Sequence, residues 1–138
     1  MSLLEAYLLA DTGMLTLIWI TELINYPSFK EMSTVQLRKW HPQYTQRISY
    51  LVALLMFAEG VFGAAQLYVH FNGLSLLAFL LILGCFALSF FQAVPLHNQI
   101  DRGEQFPEAV NALLRKNKLC TICWSLIFVV GVVELWMN

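Results

Sequence analysis

Apolar residues gather along the chain into four long runs separated by shorter polar stretches. The first runs from about Leu3 to Tyr26, the second from about Arg47 to Phe71, the third from about Leu74 to Val94 and the fourth from about Leu119 to Trp136. At about 1.5 Å per helical residue, each can cross a hydrocarbon layer roughly 30 Å thick. The pattern predicts an all-α protein, a bundle of four transmembrane helices forming a single domain over residues 1–138.

Breaker residues set the expected ends. Pro27 is expected to stop the first helix, because proline cannot donate a hydrogen bond and its ring pushes the preceding residue out of helical geometry. Ser28 and Glu31 are spaced as a capping box, predicting a short amphipathic helix through Trp40 at the membrane surface. Asn72-Gly73 predicts a tight turn joining the second and third spans as an antiparallel hairpin. Pro95 should end the third span and open a polar loop, HNQIDRGEQ, after which Pro107 starts a helix near Glu108 that continues into the fourth span. NYPSF with LRKW parallels AVPLH with LRKN. The parallel reads either as an internal duplication about an axis along the membrane normal or as a common preference of inward helix ends.

Composition agrees with the pattern. The chain is 59% hydrophobic and 12% charged, far from the roughly 25% charge of soluble domains. It reads as an integral membrane protein in contact with the lipid bilayer. A net charge of −1 argues against nucleic acid as a partner. All eight basic residues fall in two places: Lys30, Arg38, Lys39 and Arg47 between the first two spans, and Arg102, Arg115, Lys116 and Lys118 between the last two. The positive-inside rule therefore places both long loops in the cytoplasm and both termini outside. The first residues carry Glu5 and no basic n-region, so the first helix is expected to be retained rather than cleaved as a signal.

Ionisable groups within a span are costly and tend to face the bundle interior. Glu59 is the most informative, lying about 18 Å along a helix from Arg47 with no nearer cation in its span. It reads as a metal ligand, a proton acceptor or a substrate partner, against the plainer alternative of a neutral acid bonded to a neighbouring helix. Glu22 and Tyr26, four residues apart, share a helix face. They line the mouth of a cavity or else serve at the interface. Asp11 and Glu134 are expected to be solvated near the outer surface, and His70 to be interfacial. His41, Tyr44 and Arg47 recur every third residue at the start of the second span, and His97 follows Pro95 at similar depth. Two histidines with carboxylates nearby suit a metal or haem, with His41, His97, Glu22 and Glu59 as candidate ligands; they suit better a metal-free site in which the histidines hydrogen-bond a substrate or a loop. About 27 Å of helix between His41 and Glu59 prevents those two from sharing an ion.

Three cysteines do not make a disulfide framework. Cys120 and Cys123 form CTIC, the spacing of a thioredoxin-like redox motif. With only Cys85 besides them there is no second shuttling pair, and packed small residues are the plainer reading.

The order Tyr26-Pro27, His41, Arg47, Glu59, Pro95-Leu96-His97 with Ile100 at the next helical step, then Leu114, Asn117, Thr121 and Trp124, resembles a family of uncharacterised small bacterial four-helix membrane proteins. More distantly, the second half is similar to the anthrone-oxygenase-like family. The resemblance implies residence in the bacterial inner (plasma) membrane and an enzyme oxygenating aromatic, polyketide-like substrates at an inward-facing polar cluster. Cys120 stands where that likeness would place an arginine, which puts an anion or carbonyl contact in doubt.

The expected function is thus a small membrane oxidoreductase or oxygenase acting on a lipophilic molecule that enters from the bilayer. Glu59, Glu22, His97 and His41 are its catalytic candidates, and Tyr26, Tyr44, Arg47, Asn117 and Trp124 its substrate-binding candidates. Whether a metal, a haem or no cofactor is held stays open. The competing expectation is a non-catalytic subunit, self-associating or docked on another membrane protein.

Overall fold

The computed structural model describes residues 1–104 and 106–137, and these form helices joined by short turns. Four helical rods, Leu3–Glu31, Thr34–Val69, Gly73–Arg102 and Phe106–Met137, are each long and apolar enough to cross a membrane. They run up and down in sequence order, and each packs chiefly on its sequence neighbours, the first also on the fourth. Both chain ends and the 70–72 turn lie at one end of the bundle, and the basic segments lie at the other. Leu23, Leu54, Phe57, Leu80, Phe90 and Val129 are exposed on the flanks, as expected of side chains that face lipid.

The first rod does not stop at Pro27. Helix α1 (Leu3–Ile20) starts from a capping box, in which Ser2 Oγ accepts from the Glu5 N–H at 3.2 Å and Glu5 accepts from the Ser2 N–H at 2.6 Å. It then widens into a five-residue π-helical turn, Thr21–Asn25, and resumes as α2 (Tyr26–Glu31) with Pro27 in its first turn. The π turn supplies an extra residue just where proline would break the α-helical hydrogen-bond pattern. The capping box is likewise displaced from its expected place. Ser28 Oγ donates back to the Ile24 carbonyl at 2.6 Å, and the cap of the next helix is formed by Ser33 and Gln36.

Helix α3 (Thr34–Val69) therefore begins well before Arg47 and absorbs the expected surface helix through Trp40. Pro42 lies inside it rather than at its start. Its 36 residues extend over about 54 Å, more than a hydrocarbon core can cover. The excess forms a cap at the basic end. Asn72 then accepts from the N–H groups of Leu74 and Ser75 and starts α4 (Gly73–Leu88).

The third rod repeats the device of the first. A second five-residue π-helical turn, Ser89–Ala93, leads into α5 (Val94–Arg102), with Pro95 in its first turn. Most of the expected polar loop is thus helical. Gln105, its last residue, lies outside the described residues. Helix α6 (Phe106–Met137) runs unbroken through the fourth span. Each half of the chain is therefore a helix, a π turn, a proline-opened helical extension and a long return helix, which gives the parallel between the two sequence halves a structural counterpart.

Helix α5 ends at Gly103, whose φ of 70° and ψ of 22° lie in the left-handed region. The N–H of Gly103 reaches the Ile100 carbonyl and that of Glu104 the Gln99 carbonyl, each at 3.0 Å. This double closure holds Asp101 in the last helical turn. A Cβ on Gly103 would lie 2.9 Å from Arg38 Cδ. Gly103→Ala is expected to lower stability by about 1–2 kcal/mol from the left-handed backbone alone. Gly84, whose Cβ direction is open, should accept alanine without loss. Thermal unfolding of the two variants in detergent checks the contrast.

Candidate functional site

At the basic end, α2, α5 and the starts of α3 and α6 close around a core that includes Tyr26, Phe29, Leu37, Ile100 and Leu113. Phe29 is 0% exposed and sits at its centre. Its ring centroid is 5.2 Å from Tyr26, 5.3 Å from His41 and 5.4 Å from Tyr44. His41 is also 0% exposed. An imidazole buried among aromatic rings needs partners for both ring nitrogens.

It has them, and the partners form a file. His41 Nδ1 lies 2.6 Å from Asp101 Oδ1, His41 Nε2 lies 3.0 Å from His97 Nδ1, and His97 Nε2 lies 3.0 Å from the Tyr26 hydroxyl. The two imidazoles stack at 5.0 Å with an interplanar angle of 25°. Because an ionised carboxylate can only accept, His41 Nδ1 carries a proton and donates it to Asp101. If His41 is neutral its Nε2 must accept, so His97 donates from Nδ1 and accepts from Tyr26 at Nε2. All four groups then have matched roles.

The same file has a second consistent arrangement with one proton more. When His41 carries protons on both nitrogens, its Nε2–H donates to His97 Nδ1, and His97 Nε2–H donates to the Tyr26 oxygen. The Tyr26 proton is then free to point elsewhere. Charge is stabilised at the far end, where imidazolium and Asp101 carboxylate would form a short ion pair. Chemically, the arrangement accepts a proton at Tyr26 and stores it at His41.

Tyr26, His97 and Asp101 form part of the wall of a cavity of about 410 Å³, within the range of small-molecule sites. His41 lies behind this wall. Met14, Leu17, Val52 and Trp124 give the cavity an apolar interior, while Asn117, Lys116 and Tyr44 add polar groups. Pro42, Gln46 and Ser49 of α3 and Val94 and Asn98 of α5 are both lining and exposed. The opening is therefore on the flank of the bundle, between α3 and α5.

The expected site residues divide into three groups. Tyr26, Tyr44, His97, Asn117 and Trp124 line the cavity, with His41 behind them. Glu22 lies in the first π turn and accepts from Asn117 Nδ2 at 2.7 Å, so it orients a wall residue without itself forming the wall. Arg47 turns away, exposed, into a shallow groove beside Trp40, Gln43, Tyr44 and Leu51. Glu59 is remote from all of these and faces Asp11. Among the described residues no three His, Cys, Asp or Glu side chains are placed to hold a metal ion. Asp11 and Glu134 are not interfacial as expected, being 0% and 2% exposed. The three thiols are free; Cys120 reaches the cavity wall.

Asp101 was not among the expected residues. It lay in what reads as a solvated loop, and the available signal was its spacing of four from His97, which only a helix continuing past Pro95 turns into a shared face.

A family model described as a protein of unknown function (DUF2975) matches residues 26–138. The chain belongs to this family. The DUF2975 match begins at Tyr26 and so takes in all four members of the hydrogen-bonded file, with α1 outside it. It accords with the resemblance to an uncharacterised family, while likeness to anthrone-oxygenase-like proteins is not shown. Compared with curated proteins and with solved structures, the chain matches none.

The two ends of the file should respond unequally to truncation. Asp101→Ala leaves the buried His41 Nδ1–H without an acceptor, at a cost of about 1–3 kcal/mol. Tyr26→Phe removes only the terminal bond and should cost about 1 kcal/mol. Thermal unfolding in detergent should rank Asp101→Ala as the less stable; the reverse order would contradict the inward direction of donation.

Proposed function

We propose that the chain binds a lipophilic molecule in this cavity, at the cytoplasmic face of a bacterial plasma membrane, and exchanges a proton with it through Tyr26. The observation that carries the reading is the continuous file from the cavity wall to a buried, carboxylate-paired histidine. A flank opening between α3 and α5 suits a ligand arriving from the bilayer. Its apolar part would rest on Met14, Val52 and Trp124, and an oxygen-bearing head would meet Asn117, Lys116 and Tyr26.

As a base, the site works in one concerted shift. The Tyr26 oxygen takes the ligand proton while its own proton passes to His97 Nε2. The His97 Nδ1 proton moves to His41 Nε2, and the resulting imidazolium rests against Asp101. Run backwards, the same shift makes Tyr26 an acid. Glu22 acts as a positioning residue through Asn117. An oxidoreductase or oxygenase acting on an aromatic substrate, to which the anthrone-oxygenase-like resemblance points, is a special form of this reading. In it the file would take a phenolic or enolic proton from the substrate. A second reading, a non-catalytic subunit that associates with itself or another membrane protein, is favoured by the exposed groove at Trp40 and Arg47.

Organic extraction and mass spectrometry of protein purified in a mild detergent separates the two. A lipophilic compound should be recovered with the natural chain, be lost in Val52→Trp, which fills the cavity, and bind about fivefold more weakly to Tyr26→Phe, the worth of one hydrogen bond. Absence of any such compound, together with a partner protein retained by the natural chain and lost in Arg47→Glu, would favour the second reading.

A further inference from the structure

Nearer the chain ends, the bundle holds a second polar group that the cavity does not use. Asp11 of α1 and Glu59 of α3 are each 0% exposed, and their carboxyl groups face each other across the helix interface. None of their four carboxyl oxygens has a hydrogen-bond partner among the described residues. No lysine or arginine lies in this half of the chain's spans, since all eight belong to the basic end. Tyr7 from α1 and Cys85 from α4 lie beside the pair, and Glu134 from α6 lies beside Tyr7.

Tyr7 supplies an independent sign. It is 1% exposed, and its hydroxyl has no hydrogen-bond partner among the described residues although it lies near Asp11, Glu59 and Glu134. Its ring is admitted by a glycine on α6 and touches a second on α3. A Cβ on Gly131 would lie 3.1 Å from Tyr7 Cε1, and one on Gly63 would lie 3.9 Å from Tyr7 Cε2. A larger residue at Gly131 would crowd the ring, so the sequence keeps at this depth a phenol with no partner among the described residues, against the usual rule that buried hydroxyls are paired.

The surroundings differ on the two sides. Toward the chain ends, Glu134 accepts from Gln66 Nε2 at 3.1 Å and from Asn72 Nδ2 at 2.9 Å, and Asn72 is exposed. Toward the basic end, Met14, Met56 and Trp124 form an apolar layer, and Met14 and Trp124 are also part of the cavity wall. The pair is thus polar on its outward side and sealed on its inward side.

We propose that Asp11 and Glu59 form a proton-binding site in the membrane interior, loaded from the face that carries the chain ends by way of Glu134 and Tyr7. Two buried carboxyl groups that face each other cannot both stay ionised without a counter-charge, and no cation is at hand, so a proton is what they can take up. Tyr7, whose hydroxyl is buried beside the pair, is the nearest group that could pass a proton to it. The site is separate from the histidine file, and it makes proton uptake from outside part of what this chain does.

An apolar carbodiimide tests this on the natural chain in lipid nanodiscs. Dicyclohexylcarbodiimide adds the O–H of a neutral carboxylic acid across its C=N bond, and the O-acylisourea rearranges to a stable N-acylurea. Peptide mass spectrometry should find the adduct on Asp11 or Glu59 at about a hundredfold or more over a surface carboxylate, whose acid form is below about 1% at neutral pH. Glu59→Gln and Asp11→Asn should each change the yield at the partner residue. Absence of label at both positions in the folded natural chain would overturn the proposal. Protection by added sodium would overturn it too, by assigning the site to a metal cation instead.

Discussion

A backbone inside a bilayer has no water to satisfy its N–H and C=O groups, and the arrangement of this chain follows from that constraint. Pro27 and Pro95 each fall where an uninterrupted α-helix would be broken. The chain meets both with a five-residue π-helical turn and then continues as helix for 6 and 9 residues. Those extensions bring Tyr26 and His97 over the end of the bundle as parts of rigid rods. Loops at the same positions would leave a hydrogen bond of 3.0 Å between them to chance.

Polar side chains obey the same rule. His41 is satisfied on both nitrogens, Glu22 is held by Asn117, and Glu134 receives Gln66 and Asn72. At Asp11, Glu59 and Tyr7 no side-chain oxygen has a hydrogen-bond partner among the described residues. Between the two polar regions lies the layer of Met14, Met56 and Trp124. The molecule thus holds two polar regions on either side of an apolar partition, one toward the chain-end face and one toward the basic face.

The four spans, their order and the tight Asn72 turn were legible because length and hydropathy alone decide them. The prolines were misread. Proline is a stop signal for a solvated helix, whereas in lipid the penalty for ending a helix exceeds that of widening it. That error hid Asp101, since His97 and Asp101 share a face only if α5 exists. It also moved the start of α3 from Arg47 back to Thr34, leaving Arg47 on the outside while His41, six residues earlier, points inward. Tyr26, His41 and His97 could be grouped from their common depth. Asp11 could not be matched to Glu59, because a pairing between helices leaves no trace in the spacing along either one.

Selective ¹⁵N labelling of histidine, followed by NMR of the protein in nanodiscs, measures the file most directly. His41 and His97 are both expected as Nδ1–H tautomers in the neutral state, each with a hydrogen-bonded proton, and Asp101→Asn should disturb both rings together. Free exchange of the two rings between tautomers, or two Nε2–H forms that respond independently to Asp101→Asn, would contradict it.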